Sequence, residues 1–96
     1  MIILISAKEE SMPKYTVVIS KTAQKQLDKF SDHIAEPILH AIALLADNPR
    51  PHGCKKLKGR SGYRIRQGNY RIIYDIIDHL LVVDVIAIGD RKDIYD

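Results

Sequence analysis

The stretch YRIRQGNYR, residues 63–71, constrains the fold more than any other part of the chain. Basic residues alternate in it with aromatic and aliphatic ones, a pattern typical of β-strands. Gly68-Asn69 in its centre is a Gly-first two-residue loop, which suits a type II′ turn between antiparallel strands. Because such a loop fixes the register, Arg66 is predicted to lie directly opposite Arg71.

The three arginines of this hairpin are predicted to share one face of the sheet. Side chains alternate along a strand, so Arg64 points to the same side as Arg66 and Arg71. Like charges that lie directly opposite each other destabilise a sheet, so this arrangement is expected to have an anionic partner. The alternative interpretation is a solvated face, or an edge whose charges protect it against aggregation.

The distribution of charge also indicates an anionic partner. Residues 50–71 contain eight of the fifteen Lys and Arg and none of the twelve Asp and Glu. The rest of the chain therefore carries a net charge of −5, although the whole chain carries +3. A basic block in an otherwise acidic domain favours nucleic acid as the partner.

The length of 96 residues is that of a single domain. The domain is predicted to span residues 12–96, and residues 1–11 are expected to be an N-terminal extension or an extra strand. The apolar start, MIILIS, lacks the length and the basic flank of a secretory signal. No apolar run approaches the length of a membrane span, so no membrane partner is expected. The single cysteine, Cys54, excludes an internal disulfide and fits a reducing compartment.

The remaining patterns predict the order β-α-α-β-β-β. A strand over 14–19 is followed by a helix from Lys21, which Ser20 caps. A second helix is capped by Ser31 or Asp32 and ended by Asn48-Pro49. A basic loop over 49–62 leads to the strand pair over 63–77, and a turn at Asp78-His79 leads to a central strand over 80–89. With Asp32 as the cap, Pro37 lies near the end of the first turn. The fold class is α+β, an antiparallel sheet with two N-terminal helices packed on it.

The chemistry open to these residues is that of clustered cations. The four histidines are far apart in sequence, and no metal site is expected. Guanidinium groups bind phosphate through paired hydrogen bonds and can stabilise charge that develops on it. Arg91 and Tyr95 follow the last strand and are expected to reach the rim of the arginine face. A tyrosine among cations has its pKa lowered, so Tyr95 is a candidate base, although a C-terminal tyrosine can equally serve in packing alone.

Three segments together resemble the RelE/ParE superfamily of type II toxins. They are KKLKG at 55–59, YRIRQGNYRIIYDI at 63–76 and VIAIGDRKDIY at 85–95. The resemblance covers residues 12–96 and is closer to the RelE branch, the ribosome-dependent mRNA endonucleases. It implies an RelE-like fold, a cytoplasmic location and a reaction that needs no metal or cofactor.

The resemblance also implies roles for individual residues. The ribose 2′-OH of the mRNA would attack the adjacent phosphate and leave a 2′,3′-cyclic phosphate and a 5′-hydroxyl. Tyr95 would be the general base, and the arginines would clamp the phosphate and stabilise the transition state; these are Arg64, Arg66, Arg71 and Arg91. The cations expected to bind RNA through charge are Lys55, Lys56, Lys58 and Arg60, for which a merely solvated loop is the alternative.

The partners implied by the resemblance are an RelB-like antitoxin, the ribosome and mRNA, with operator DNA reached only through the antitoxin. Three other functions stay open on the residues alone. One is a ParE-like inhibitor of DNA gyrase, and another is an inactive toxin-fold protein that acts in antitoxin binding and operon regulation. The third is an unrelated basic nucleic-acid-binding domain.

Overall fold

A computed structural model describes residues 4–5 and 14–90 of the chain. The β-strands are β1 (Leu4–Ile5), β2 (Thr16–Ile19), β3 (Lys55–Lys56), β4 (Tyr63–Gln67), β5 (Tyr70–Ile77) and β6 (Val82–Asp90), and the α-helices are α1 (Lys21–Asp28) and α2 (Asp32–Leu44). A single turn of 3₁₀ helix, Asp78–Leu80, joins β5 to β6. The strands form one sheet in the order β1-β2-β6-β5-β4-β3.

The predicted α+β class and the order of the main elements are confirmed, but the sheet is not wholly antiparallel. β2 pairs with β6 in the parallel direction, and every other pair is antiparallel. The two helices between β2 and the hairpin provide the crossover that a parallel pair requires. Two short strands complete the sheet. β1 agrees with the extra strand that was one of the two alternatives for residues 1–11, whereas β3 forms inside the expected basic loop and was not predicted.

The helices cover one face of the sheet and form the core with it. α1 contributes Ala23 and Leu27 and α2 contributes Ile38 and Ile42, all buried. They pack against alternate residues of the strands, which include Val17, Ile19, Ile65, Ile72, Tyr74, Val83, Val85 and Ile88. The opposite face, called the outer face below, carries the residues that alternate with these along each strand.

The helices begin at their predicted caps, but the predicted end of α2 at Asn48-Pro49 is wrong. The helix ends at Leu44, because the N–H groups of residues 45–47 bond to carbonyls three residues back and form a turn instead. Ser20 caps α1 as predicted, since its Oγ accepts a hydrogen bond from the N–H of Ala23 at 3.1 Å. Ser31 is the N-cap of α2, and Asp32 is the first helical residue. Pro37 therefore lies in the second turn and not near the end of the first, so the helix loses one backbone donor there.

The hairpin register is the one that the sequence predicts. Gln67 lies opposite Tyr70 and Arg66 opposite Arg71. Gly68 has a φ of 61°, and Asn69 is outside the positive-φ region, which fits the type II′ turn.

An irregularity in the neighbouring strand pair places Gly89 beside the hairpin arginines. Ile73 lies opposite Ala87 but Tyr74 lies opposite Val85, so Ile86 is an extra residue in β6. Beyond this bulge Arg71 lies opposite Gly89, which has no side chain.

Candidate nucleic-acid interface

Four cations from three adjacent strands share the outer face. Arg66 of β4 lies opposite Arg71 of β5, and one row further along Lys55 of β3 lies opposite Arg64 of β4. These four residues are called the basic face below. The hairpin predicted three of them; Lys55 joins them because β3 pairs with the free edge of β4, which no local signal in the sequence indicates.

The members of the basic face differ in exposure. Arg66 and Lys55 are exposed and Arg71 is half-buried. Arg64 is only 3 % exposed and lies opposite Ile73, itself buried on the outer face. Arg66 is therefore the most accessible of the three arginines, Arg71 is partly covered, and Arg64 adds positive charge from below the surface.

A row of acids bounds the basic face on the side away from the hairpin turn. Asp75 of β5 lies directly opposite Asp84 of β6 on the outer face. Burial and the negative charge of Asp75 raise the pKa of the Asp84 carboxyl. The hydroxyl of Ser61 donates to Asp75 at 3.5 Å. Along β4, β5 and β6 the cations of the outer face thus lie toward the hairpin turn and the acids lie toward the opposite end.

The other predicted electrostatic residues lie at the edge of the sheet beside β3. Lys56 pairs in register with Tyr63, and it is exposed together with Lys58 and Arg60. Lys56 and Arg60 border a cleft of about 410 Å³, which also contains the carboxylates of Asp75 and Asp78.

Arg50 belongs to the basic block of residues 50–71, and it is bound to an acid outside that block. Its Nη2 lies 2.9 Å from Oδ2 of Asp78 and its Nη1 lies 3.4 Å from Oδ1. The hydroxyl of Tyr15 donates to the same Oδ1 at 2.7 Å. Hydrogen bonds from Arg50 and then Tyr15 lower the pKa of Asp78, and the bond to Asp78 raises the pKa of Tyr15. Asp78 is 28 residues from Arg50, so no local pattern in the sequence predicts the pair.

Two predicted catalytic residues, Arg91 and Tyr95, lie outside the described residues. The strand that leads to them ends at Asp90, which lies opposite Tyr70. Tyr70 packs on the helix side of the sheet, where its ring is 4.9 Å from that of Phe30. By register Asp90 therefore belongs to the helix side and not to the basic face.

The comparisons with known proteins agree with this architecture. The family model described as "ParE toxin of type II toxin-antitoxin system, parDE" matches residues 17–95, which is most of the chain. The chain belongs to this family, and so to the RelE/ParE superfamily of type II toxins. Within the part that the structure describes, no helix is long and apolar enough to cross a membrane.

The relatives found by sequence and by structure have RelE names. The chain is 27 % identical over 81 residues to the mRNA interferase toxin RelE of Escherichia coli K12, an alignment that covers 81 % of this chain and 84 % of the relative. It matches the RelBE2 toxin-antitoxin complex of Mycobacterium tuberculosis with a TM-score of 0.72 and 28 % identity, covering 83 % of this chain and 100 % of the other. It matches the archaeal RelE-RelB complex of Pyrococcus horikoshii with a TM-score of 0.74 and 26 % identity, covering 84 % and 99 %.

Proposed function

We propose that this toxin is a ribosome-dependent endoribonuclease that cleaves mRNA in the decoding site and so inhibits translation. The observation that carries the proposal is the direct opposition of Arg66 and Arg71 on the outer face, with Lys55 and Arg64 in the next row. Similarity to an mRNA interferase toxin over most of both chains supports it.

The basic face suits a reaction at a phosphate that is attacked by the neighbouring ribose. The 2′-oxygen bonds to phosphorus while the bond from phosphorus to the 5′-oxygen breaks, so negative charge builds up on the phosphate oxygens. Arg66 and Arg71 would hold those oxygens with charge-assisted hydrogen bonds that strengthen as the charge develops. Arg64, being buried, would act through its field and not through direct contact.

The remaining roles rest on the resemblance of the C-terminal segment to the family. Tyr95 would take the proton from the 2′-hydroxyl, and Arg91 would help to stabilise the transition state. The leaving 5′-oxygen would take up a proton, which gives a 2′,3′-cyclic phosphate and a 5′-hydroxyl. The exposed Lys55, Lys56, Lys58 and Arg60 would bind the RNA backbone along the edge of the sheet.

An RelB-like antitoxin is the partner that the comparisons favour, since two of the matched structures are toxin-antitoxin complexes. Such a partner would neutralise the basic face, and operator DNA would be reached only through it. The protein is expected to act in the cytoplasm, where ribosomes and mRNA are found.

Primer extension on an mRNA held in a programmed ribosome tests the proposal. The wild type is expected to cut in the decoding site and to leave naked mRNA intact. The Arg71→Ala variant should not cut, whereas Lys25→Ala, which removes a charge from the exposed side of α1, should cut like the wild type. Cutting of naked mRNA at the same rate, or no cutting by the folded wild type, would contradict the proposal.

A ParE-like inhibitor of DNA gyrase is the second candidate, and the family model that matches the chain is the observation in its favour. A supercoiling assay distinguishes the two candidates. Inhibition of purified gyrase by a protein that does not cut ribosome-bound mRNA would establish the second.

A further inference from the structure

Arg50, Asp78, Tyr15 and Tyr63 form a polar network at the end of the sheet opposite the hairpin turn. Asp78 accepts two hydrogen bonds from the guanidinium of Arg50 and one from the hydroxyl of Tyr15. The guanidinium lies 5.4 Å from the centroid of the Tyr63 ring, and its Nε lies 3.4 Å from the Tyr63 hydroxyl. This network is called the latch below, and it joins the residues before β2, the start of β4 and the end of β5 through the side chains of Arg50 and Asp78.

The latch sits at the beginning of the segment that carries the loop cations. The backbone N–H of Arg50 donates to Oδ1 of Asn48 at 3.1 Å. The buried hydroxyl of Tyr74 donates to the carbonyl of Pro49 at 2.7 Å. The start of the segment is therefore tied to the sheet through backbone and side chain together, five residues before Lys55.

The other end of the segment has its own attachment. The N–H of Leu57 donates to the carbonyl of Gly62 at 3.0 Å, and β3 pairs with β4. Since β3 is only two residues long, its pairing alone is a weak restraint. The position of Lys55 opposite Arg64 therefore depends on restraint at both ends of the segment.

We propose that Arg50 and Asp78 are positioning residues, which hold Lys55 opposite Arg64 and keep Lys56 and Lys58 along the neighbouring edge of the sheet. This inference rests on the proposed binding of RNA by that face. Arg50 does not itself contact the phosphate, because its guanidinium is occupied by Asp78 and Tyr63. Both partners are partly exposed, with side chains 44 % and 56 % accessible, so removing them should affect the segment far more than the global fold.

Binding of a short single-stranded RNA at several salt concentrations tests the proposal without any need for cleavage. The double substitution Arg50→Ala with Asp78→Ala removes the latch and leaves the net charge unchanged. The slope of log Kobs, the observed association constant, against the logarithm of the salt concentration is negative. Each lost lysine contact should reduce its magnitude by about 0.7. The matched control is Lys25→Ala with Asp47→Ala, which removes one exposed charge of each sign; within residues 14–90 neither side chain has an ion pair or a hydrogen bond.

The same substitutions in a chain that already lacks the three lysines separate positioning from a general loss of structure. If the latch acts through Lys55, Lys56 and Lys58, Arg50→Ala with Asp78→Ala should have no further effect on the slope there. An equal loss in both backgrounds, or a wild-type slope in the double variant, would overturn the proposal.

Amide hydrogen exchange gives a second readout that is independent of RNA. Exchange in residues 52–58 should quicken in the double variant while β5 and β6 stay protected, and unchanged exchange in 52–58 would also overturn the proposal.

If the double variant does not fold, Arg50→Lys keeps the charge but loses the paired hydrogen bonds, and it should give an intermediate slope in the RNA-binding experiment. A wild type that binds RNA but does not cut ribosome-bound mRNA would contradict the proposed function. The salt dependence of RNA binding would then still test the role of the latch.

Discussion

Arg66 and Arg71 lie directly opposite each other across β4 and β5, and their row of the outer face ends at Gly89. Within residues 14–90 no carboxylate shares that row, since Asp75 and Asp84 lie on the far side of the Arg64 row. Guanidinium groups bind phosphate through paired, charge-assisted hydrogen bonds. This pair is therefore the proposed centre of the interface.

Binding of an anion by this pair should stabilise the folded state. Inorganic phosphate is expected to raise the Tm of the wild type more than that of the Arg66→Gln/Arg71→Gln variant, because only the folded wild type has the paired site. The measurement is thermal unfolding in phosphate and in chloride at equal ionic strength. A gain of 1 kcal/mol corresponds to about 4–8 °C for a domain of this size. An equal rise in both proteins would show that the effect is nonspecific.

Gly62 should be irreplaceable, because it closes the basic loop against β5. Its φ is 116°, and an added Cβ would lie 3.0 Å from Oδ1 of Asp75 and 3.3 Å from the carbonyl oxygen of Tyr74. Gly62→Ala is expected to cost at least about 2 kcal/mol in the free energy of unfolding. Gly53→Ala is the matched control, since Gly53 has a φ of 91° but nothing within 4 Å of the added carbon. Urea unfolding should show a clearly smaller loss in the control; equal losses would mean that the close approach does not matter.

Pro37 should lower the stability of α2, and it should not take part in the binding of RNA. It is exposed in the second turn, where its ring removes a helical hydrogen bond. Pro37→Ala is expected to raise the free energy of unfolding by about 1–2 kcal/mol, the helical gain less the added freedom of the unfolded chain. Glu36→Ala, one residue away and also exposed, should change it by less than about 0.5 kcal/mol. A destabilised Pro37→Ala protein would show that the proline fits the local backbone better than a regular helix would.

The latch should contribute to the free energy of unfolding only while Asp78 is ionised, so the contribution should be lost in acid. Hydrogen bonds from Arg50 and Tyr15 lower the pKa of Asp78 below its ordinary value of 3.8. A lowered pKa means that the folded state favours the ionised form, so the contribution is complete above pH 3.8 and is lost as the pH falls through the lowered pKa. The difference in the free energy of unfolding between the wild type and Asp78→Asn should hence be constant near neutrality and shrink below about pH 4. Denaturant unfolding across this range checks it, and a difference that persists at the lowest pH would contradict it.

Turn and capping residues predicted those parts of the fold that depend on neighbours in the sequence. The Gly68-Asn69 turn fixed the pairing of Arg66 with Arg71, and Ser20 fixed the start of α1. The parallel pairing of β2 with β6 depends instead on packing between segments far apart in the chain.

The candidate site divides in the same way. Alternation along β4 placed Arg64 on the correct face, but alternation carries no information about what covers that face, so its burial was not predictable. The pairing of Arg50 with Asp78 likewise joins residues that only the folded sheet brings together. The assignment of Arg91 and Tyr95 to the reaction stays a prediction from the resemblance.

The most direct test of the central claim is the single-turnover rate of mRNA cleavage in a programmed ribosome, measured for the wild type, Arg71→Ala and Lys25→Ala. Loss of one donor to the developing charge should slow Arg71→Ala about 100- to 1000-fold, or roughly 3–4 kcal/mol, and Lys25→Ala should cut at the wild-type rate. The products should carry a 2′,3′-cyclic phosphate and a 5′-hydroxyl. An unchanged rate in a folded Arg71→Ala protein would contradict the account.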